Sequence, residues 1–185
     1  MPHEVSSAVR RLNWGCGAIA PFGWVNSDID SGPGIDVVAD ICRGLPLESD
    51  CFDYVVTIHA LPEIRFDQMD GVLRELCRVL KPGGVLRLSL PDMDKAIDAY
   101  RSGDVDYFLI DDEVIRSTAG KMIVQLTWFG RSRCMFTYEF IEELLLRNGF
   151  RSVARCEYRQ THSRWPGITE LDNRQIESLF VEAIK

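Results

Sequence analysis

The residues best suited to chemistry in this sequence are a glycine-bracketed turn and two acidic residues that follow it. Residues 12–17 (LNWGCG) place a short apolar stretch directly before a Gly-Cys-Gly turn. Glycine tolerates a positive φ and has no Cβ, so such a turn can bring backbone N–H groups against a ligand. Asp28 and Asp40 each close a later apolar run, where a carboxylate can accept hydrogen bonds from a ribose diol. The pattern predicts a site for a nucleoside-bearing cofactor.

Alternating strand and helix patterns must position this turn. Apolar and β-branched segments predict strands over residues 10–14, 24–29, 35–39, 52–58 and 85–90. Apolar residues recur at helical spacing over residues 66–80. The Lys-Pro-Gly-Gly sequence that follows ends this helix, because proline cannot continue it. Asp92 and Thr137 are suited to cap two further helices, over residues 92–100 and after residue 137.

Two strands are predicted near the end of the chain, over residues 150–158 and 178–183. Parallel strands need a crossover that is usually helical, and no helical pattern separates these two, so we expect the last strand to be antiparallel. Residues 17–24 are too few for a full crossover helix, so the first helix should be reduced to a turn. This order predicts an α/β fold in one domain of residues 1–185, with a doubly wound, Rossmann-like sheet that is covered on both faces. Residues 101–135 mix helical and irregular signals.

Composition restricts the class of protein. The net charge of −7 disfavours nucleic-acid binding. No apolar run approaches the roughly 20 residues of a membrane helix, and residues 1–11 lack a signal-peptide core, so we expect a cytoplasmic protein without a membrane span. The six cysteines form no CxxC pair or Cys/His group, which predicts buried thiols and no metal site. No sequence pattern specifies an oligomeric state.

The sequence resembles the class I S-adenosylmethionine-dependent methyltransferases, mainly over residues 11–95. The matching segments are 12–17 (LNWGCG), 23–30 (GWVNSDID), 39–41 (ADI), 52–56 (FDYVV), 78–84 (RVLKPGG), 136–138 (FTY) and 148–150 (NGF). The segment RVLKPGG is the most specific of them. A closer likeness is to small bacterial members of the type 11 methyltransferase family that are associated with cell-surface polysaccharide synthesis.

The resemblance implies S-adenosylmethionine as the cofactor. The cofactor-binding residues it implies are Asn13, Gly15, Cys16, Gly17, Asp28, Ile29, Asp40, Ile41 and His59. The Gly-Cys-Gly loop would pass under the methionine and ribose, and Asp28 would hold the ribose hydroxyls. Asp40 would bond the adenine amino group, and His59 would lie near the sulfonium.

The implied reaction is transfer of a methyl group to a small molecule or a sugar (glycan), which we expect to occur at oxygen. A hydroxyl acceptor must lose its proton, and a histidine near neutral pKa suits that task. The candidates for this catalytic role are His59, then His162, then Asp92. A metal is not needed.

Two alternatives stay open at this point. Pro62 and Glu63 stand where the family usually has a Glu-His pair, which is compatible with a catalytically silent binding module. An NAD(P)-dependent sugar-modifying enzyme would instead have a long first helix and an acid about 20 residues past the glycine loop. Asp28 comes sooner than that.

Overall fold

The computed structural model describes residues 9–185, so residues 1–8 of the predicted domain lie outside the described part. The strands are β1 (Arg11–Trp14), β2 (Val25–Asp28), β3 (Val37–Val38), β4 (Phe52–Ile58), β5 (Leu80–Pro91), β6 (Ser152–Cys156) and β7 (Ser178–Ile184). The helices are α1 (Phe66–Val79), α2 (Met93–Ser102), α3 (Thr118–Thr127) and α4 (Tyr138–Arg147). Short 3₁₀ turns occur at Ile41–Arg43, Leu61–Glu63 and Pro166–Thr169.

The strands form one seven-stranded sheet in the order β3-β2-β1-β4-β5-β7-β6. All neighbouring pairs from β3 to β5 are parallel, whereas β7 is antiparallel to both β5 and β6. The predicted α/β sheet with an antiparallel last strand is confirmed. The expected loss of the first helix is also confirmed, because turns and no helix join β1 to β2.

One face of the sheet is covered by α1 and α4. Leu86, Leu88 and Leu90 of β5 belong to the same buried cluster as Leu73 of α1 and Leu144 of α4. Their alternation along β5 places the intervening residues on the opposite face. This face therefore has the helical cover that the 66–80 pattern predicts.

The opposite face is covered by residues 157–177, which we call the cap segment. Its Ile168 and Leu171 pack with Trp24, Tyr54 and Val56 from the sheet. The cap segment contains a single 3₁₀ turn and no α-helix. The sheet is thus covered on both faces, as predicted, but on this face the described cover is an irregular segment.

A buried ion cluster ties the cap segment to the sheet. Arg87 of β5 has no solvent exposure, and its guanidinium donates to both carboxylate oxygens of Asp172, at 3.3 and 2.5 Å. It also donates to Glu182 of β7 at 3.0 Å. Two further bonds reach the carbonyl oxygens of Gln160 and Glu157, at 2.8 and 3.3 Å. All five N–H donors of Arg87 are therefore used, and four of them anchor the cap segment.

A smaller layer lies beyond the carboxyl end of β5. There α2 and α3 pack around Ala99, Phe108 and Leu126. Residues 101–135, whose mixed signals did not predict an element, thus supply α3 and part of this layer. None of the helices within residues 9–185 is both long enough and apolar enough to cross a membrane.

Candidate active site

A cavity of about 770 Å³ opens at the carboxyl ends of the parallel strands. Its volume falls in the range of about 300–1,000 Å³ that is typical of small-molecule sites. The predicted residues that line it are Asn13, Gly15, Cys16, Gly17, Asp28, Ile29, Asp40, Ile41, His59 and Asp92. Of the predicted site residues, only His162 lies elsewhere.

The glycine loop is held down by its own N–H groups. Gly15 and Cys16 both donate to the carbonyl oxygen of Ser27, at 2.8 and 3.1 Å. Gly17 donates to the Asp28 carboxylate at 2.7 Å. A glycine turn can bring its N–H groups against a ligand, but in this loop the N–H groups of Gly15, Cys16 and Gly17 donate to β2.

The two glycines of the loop serve different purposes. Both have a positive φ, 67° at Gly15 and 53° at Gly17. A Cβ on Gly15 would lie 2.2 Å from the Cβ of Ala60, so position 15 has no room for a side chain. A Cβ on Gly17 would meet nothing within 4 Å. Gly15 is thus required for packing against Ala60, and Gly17 leaves the loop open towards the cavity.

Asp28 presents a fixed carboxylate to the cavity. One oxygen accepts from Gly17 N–H, and the other accepts from Asp30 N–H at 3.2 Å. A carboxylate has about four acceptor positions, so both oxygens can accept further hydrogen bonds from a diol. The nearby Asn13 is 3% exposed. Its amide donates to Ile19 O at 2.8 Å and to Asn26 Oδ1 at 3.1 Å, so Asn13 supports the loop.

The part of the cavity beside Ile29, Asp40 and Ile41 can accommodate a flat apolar ring. Ile29 is 63% exposed beside the cavity, and Ile41 lines it as well. Asp40 caps the turn Ile41–Arg43 by accepting from Cys42 N–H at 3.0 Å. A carboxylate next to apolar side chains fits an adenine ring with its amino group. The open loop, the two carboxylates and these apolar side chains together fit an adenosyl group.

Known proteins are similar to this chain in sequence and fold. The methyltransferase domain family model matches residues 24–88. A possible histamine N-methyltransferase from Thermotoga maritima, described as S-adenosylmethionine-dependent, has a similar structure with a TM-score of 0.59, 17% identity, and coverage of 98% of this chain and 84% of its own. An S-adenosylmethionine-dependent methyltransferase from Mesorhizobium loti has a TM-score of 0.55, 19% identity, and coverage of 96% and 91%. No curated protein sequence matches this chain.

Residues 24–88 thus match a methyltransferase domain, and the fold is similar to that of solved S-adenosylmethionine-dependent methyltransferases. Both of these solved proteins are described as dependent on S-adenosylmethionine. The Rossmann-like fold expected from the resemblance is confirmed.

His59 is a half-buried, neutral residue. It follows β4 with a φ of 55°, and its Nε2 lies 2.8 Å from Ser178 Oγ. Burial, assisted by the positive charge of Arg174, lowers the pKa of His59 from 6.5 to about 3. His59 is therefore uncharged near pH 7, but a group with so low a pKa is a weak base.

Asp92 lines the cavity, but its carboxylate is already engaged. It caps α2 by accepting from Asp94 and Lys95 N–H, at 3.1 and 3.2 Å. Its second oxygen accepts from Arg155 Nη2 at 3.0 Å. The whole residue is 1% exposed. These bonds favour a structural role for Asp92.

His162 does not reach the cavity. It is an exposed residue of the cap segment, and its N–H donates to Glu182 Oε2 at 3.0 Å. Its ring Nε2 lies 3.3 Å from the carbonyl oxygen of Arg155. These contacts hold His162 outside the cavity. In this position it does not reach an acceptor bound there, contrary to the expectation from the sequence.

Sequence reasoning missed two charged residues of the site, Arg174 and Glu177. Both line the cavity, and Glu177 is 8% exposed. They come just before β7, whose first residue Ser178 pairs with Pro91 at the end of β5. An antiparallel strand begins where its parallel neighbours end. The predicted direction of the last strand was therefore the signal that could have identified them.

Within residues 9–185, no group of three or more His, Cys, Asp or Glu side chains is arranged to hold a metal ion. All six cysteines are free thiols. Cys16 and Cys42 both line the cavity. Burial, and then the charge of Asp28, raises the pKa of Cys16, which disfavours its thiolate.

Proposed function

We propose that this methyltransferase transfers a methyl group to a hydroxyl oxygen of a small-molecule or sugar acceptor in the cytoplasm. The observation that carries the proposal is the composition of the cavity of about 770 Å³. One half has the carboxylates and the open loop that fit the adenosyl group. The other half has polar and aromatic side chains that suit a hydroxylated acceptor.

In this proposal the loop of Gly15, Cys16 and Gly17 lies under the methionine and ribose. Asp28 accepts hydrogen bonds from the ribose hydroxyls, since its carboxylate is oriented by two backbone N–H groups. Asp40 accepts from the adenine amino group. Ile29 and Ile41 lie against the faces or edges of the adenine, as their place in the cavity permits.

The acceptor half of the cavity is formed by residues of the α2–α3 layer and the cap segment. Its polar and aromatic members are Tyr107, Gln125, Trp128, Asn173, Arg174 and Glu177. Gln125 Oε1 accepts from Leu109 N–H at 2.6 Å, which orients its amide and leaves the NH₂ group for a ligand. Oxygen is favoured as the methylated atom because such a lining matches a polyhydroxylated ring. Solved structures of this fold include proteins described as acting on nitrogen and on carbon, so the fold alone does not select the atom.

The bound cofactor supplies an activated methyl group on a sulfonium. The chain's own contribution is alignment, and positioning of this kind can provide roughly 7–11 kcal/mol. Glu177 is the better candidate to receive the hydroxyl proton, because its carboxylate has one cationic partner, Arg174, at 3.5 Å and no hydrogen bond among the described residues. His59 remains near the reacting atoms as a neutral hydrogen-bonding group.

The departure at Pro62 has a structural explanation. The carbonyl oxygen of Pro62 accepts from the N–H groups of Arg133 and Cys134, at 2.8 and 3.1 Å. The turn Leu61–Glu63 thereby anchors the chain that leads from α3 back to the core. This use of the Pro62 backbone accounts for the segment without requiring a silent binding module.

Binding and transfer can be tested in sequence. Isothermal titration should show binding of S-adenosylhomocysteine and none of NAD or NADP. Replacing Asp28→Asn should weaken that binding by about tenfold or more, because two charge-assisted hydrogen bonds lose their charge. Asp98→Asn, at an exposed position on α2, is the matched control and should bind normally.

Transfer is then measured with methyl-labelled S-adenosylmethionine against panels of sugars, glycans, phenols and amines. We expect label in an ether linkage that resists mild base. In the variant Glu177→Gln, transfer should fall by about 100-fold or more while S-adenosylhomocysteine binding is kept. Label found on nitrogen or carbon would refute the oxygen assignment, and equal affinity of Asp28→Asn and the parent would remove Asp28 from the site.

A further inference from the structure

The cofactor half of the cavity leaves one charge of the cofactor unmatched. The charged side chains that line this half are the acidic Asp28, Asp30, Asp40 and Glu63 and one cation, Arg133, near Cys42 at the adenine end. The methionine part of S-adenosylmethionine ends in a carboxylate as well as an ammonium group. The carboxylate therefore needs a positive partner from elsewhere in the cavity.

The glycine loop cannot fully provide that partner. The N–H groups of Gly15, Cys16 and Gly17 are bonded to β2, and Ile19 N–H donates to Cys16 O at 3.0 Å. Among residues 15–19, this leaves the N–H of Ala18 without an acceptor in the described chain. No helix follows the loop, so the partial positive charge of a helix N-terminus is also absent there.

Three arginines line the cavity, namely Arg131, Arg133 and Arg174. Arg133 lies towards the adenine end. Its charge acts on Cys42, next to Asp40: burial, and then the charge of Asp40, raises the pKa of Cys42, and the positive charge of Arg133 opposes that rise. Arg131 follows α3, and its N–H donates to Trp128 O at 3.1 Å. Among the described residues, neither arginine side chain is hydrogen-bonded to His59 or to the glycine loop at the end of the cavity where these two meet.

Arg174 is associated with that end. It precedes Ser178 by four residues, and the Ser178 hydroxyl lies 2.8 Å from His59. Ala60, the next residue after His59, occupies the space beside the α-carbon of Gly15. The loop, His59 and Arg174 all line the cavity, and the charge of Arg174 contributes to lowering the pKa of His59.

The guanidinium of Arg174 also has donors to spare. Its Nη1 lies 3.5 Å from Glu177 Oε1, and its central carbon lies 5.6 Å from the centre of the Trp128 ring. It donates no hydrogen bond to any other described residue. A guanidinium carries five N–H donors and can bind a carboxylate through two of them.

We propose that Arg174 binds the carboxylate of the methionine part of S-adenosylmethionine. The cap segment would thereby supply, with one side chain, the positive partner that neither a first helix nor the engaged loop provides. The inference rests on the proposed placement of the ribose at Asp28 and the sulfonium near His59. It assigns a cofactor contact to a residue that lies 157 positions after Gly17 in the sequence.

The test compares two ligands that differ in the group Arg174 would bind. S-adenosylhomocysteine carries the amino-acid portion, and 5′-methylthioadenosine lacks it. Isothermal titration of Arg174→Gln should show S-adenosylhomocysteine bound about tenfold or more weakly than by the parent, since a charge-assisted bond of about 1.4 kcal/mol or more is lost. The affinity for 5′-methylthioadenosine should stay within about twofold of the parent, since a contact to the missing carboxylate cannot affect it.

Two further variants sharpen the result. Arg174→Lys should lie between the parent and Arg174→Gln, because lysine keeps the charge but loses the two-pronged geometry. Arg159→Gln is the matched control, since Arg159 is an exposed arginine of the same cap segment and does not line the cavity. It should bind both ligands as the parent does.

The proposal is overturned if Arg174→Gln keeps parental affinity for S-adenosylhomocysteine, or if both ligands lose affinity equally. It is also overturned if Arg131→Gln, and not Arg174→Gln, shows the ligand-selective loss. A parent protein that binds neither adenosyl ligand would instead refute the proposed placement of the cofactor. The two failures are therefore distinguishable.

Discussion

Removing the charge of Arg87 should destabilise this protein more than most single substitutions do. Arg87 is the one cation of the buried cluster with Asp172 and Glu182, and the side chains of all three residues are at most 4% exposed. The change Arg87→Met keeps an unbranched side chain of similar length but leaves two buried carboxylates without their cation. Breaking a buried pair by removing one partner typically costs about 3–5 kcal/mol.

That cost sets the expected size of the measurement. For a chain of this length, 1 kcal/mol corresponds to about 2–4 °C in Tm, so Arg87→Met should lower Tm by about 6–20 °C. Urea denaturation followed by tryptophan fluorescence would give the free energy of unfolding directly. Hydrogen exchange should accelerate most in residues 171–177, because Asp172 holds this part of the cap segment to β5.

A compensated variant separates lost charge balance from lost volume. In the triple variant Arg87→Met, Asp172→Asn, Glu182→Gln, the amide oxygens can still accept from Arg159 N–H and His162 N–H. No unpaired buried charge remains, so we expect this variant to recover more than half of the lost free energy of unfolding. A cost below about 1 kcal/mol for Arg87→Met, or no recovery in the triple variant, would contradict the assignment of the cluster as the anchor of the cap segment.

Two further predictions concern the catalytic end of the sheet. Folding lowers the pKa of His59 from 6.5 to about 3. Between these two pH values the unfolded chain therefore binds more protons than the folded protein, so the free energy of unfolding should fall by about 2 kcal/mol as the pH falls from 6.5 to 4.5. Asparagine tolerates the positive φ at this position, so the variant His59→Asn should lose less free energy of unfolding over the same pH range, as measured by urea titration. An equal loss would show that His59 is not the group responsible. Gly15→Ala should destabilise the fold by about 2–4 kcal/mol through overpacking and the positive φ. Adding Ala60→Gly should restore the overpacking part in thermal unfolding, and an unchanged Tm in Gly15→Ala would refute the contact.

Local patterns predicted the central elements well. The run Phe52–Ile58 is a strand with the predicted bounds, because its apolar residues are buried on both faces of a parallel sheet. The helix predicted over residues 66–80 is observed at Phe66–Val79. The strand after it begins earlier than predicted, at Leu80, since Leu80 pairs with Phe52 before the register shifts. Lys81 is therefore part of β5.

Helix α3 was missed because its sequence is atypical of a helix. Gly120 and the β-branched Ile123 have low helix propensity, and two of the residues it buries are the polar Lys121 and Gln125. Tertiary packing against α2 overrides these local signals. The cofactor loop could be predicted because it is contiguous with β1, whereas Arg174 reaches the site only through long-range pairing of β7.

The position of β7 has a consequence for how the protein is made. β7 lies between β5 and β6 in the sheet, although it follows both in the chain. A nascent chain that has not yet released residues 178–184 from the ribosome would expose the unpaired edges of both neighbours, which are prone to pair with other strands. The Ser178 contact to His59 is also missing at that stage. Protection from aggregation and completion of the cavity therefore depend on the release of the same segment.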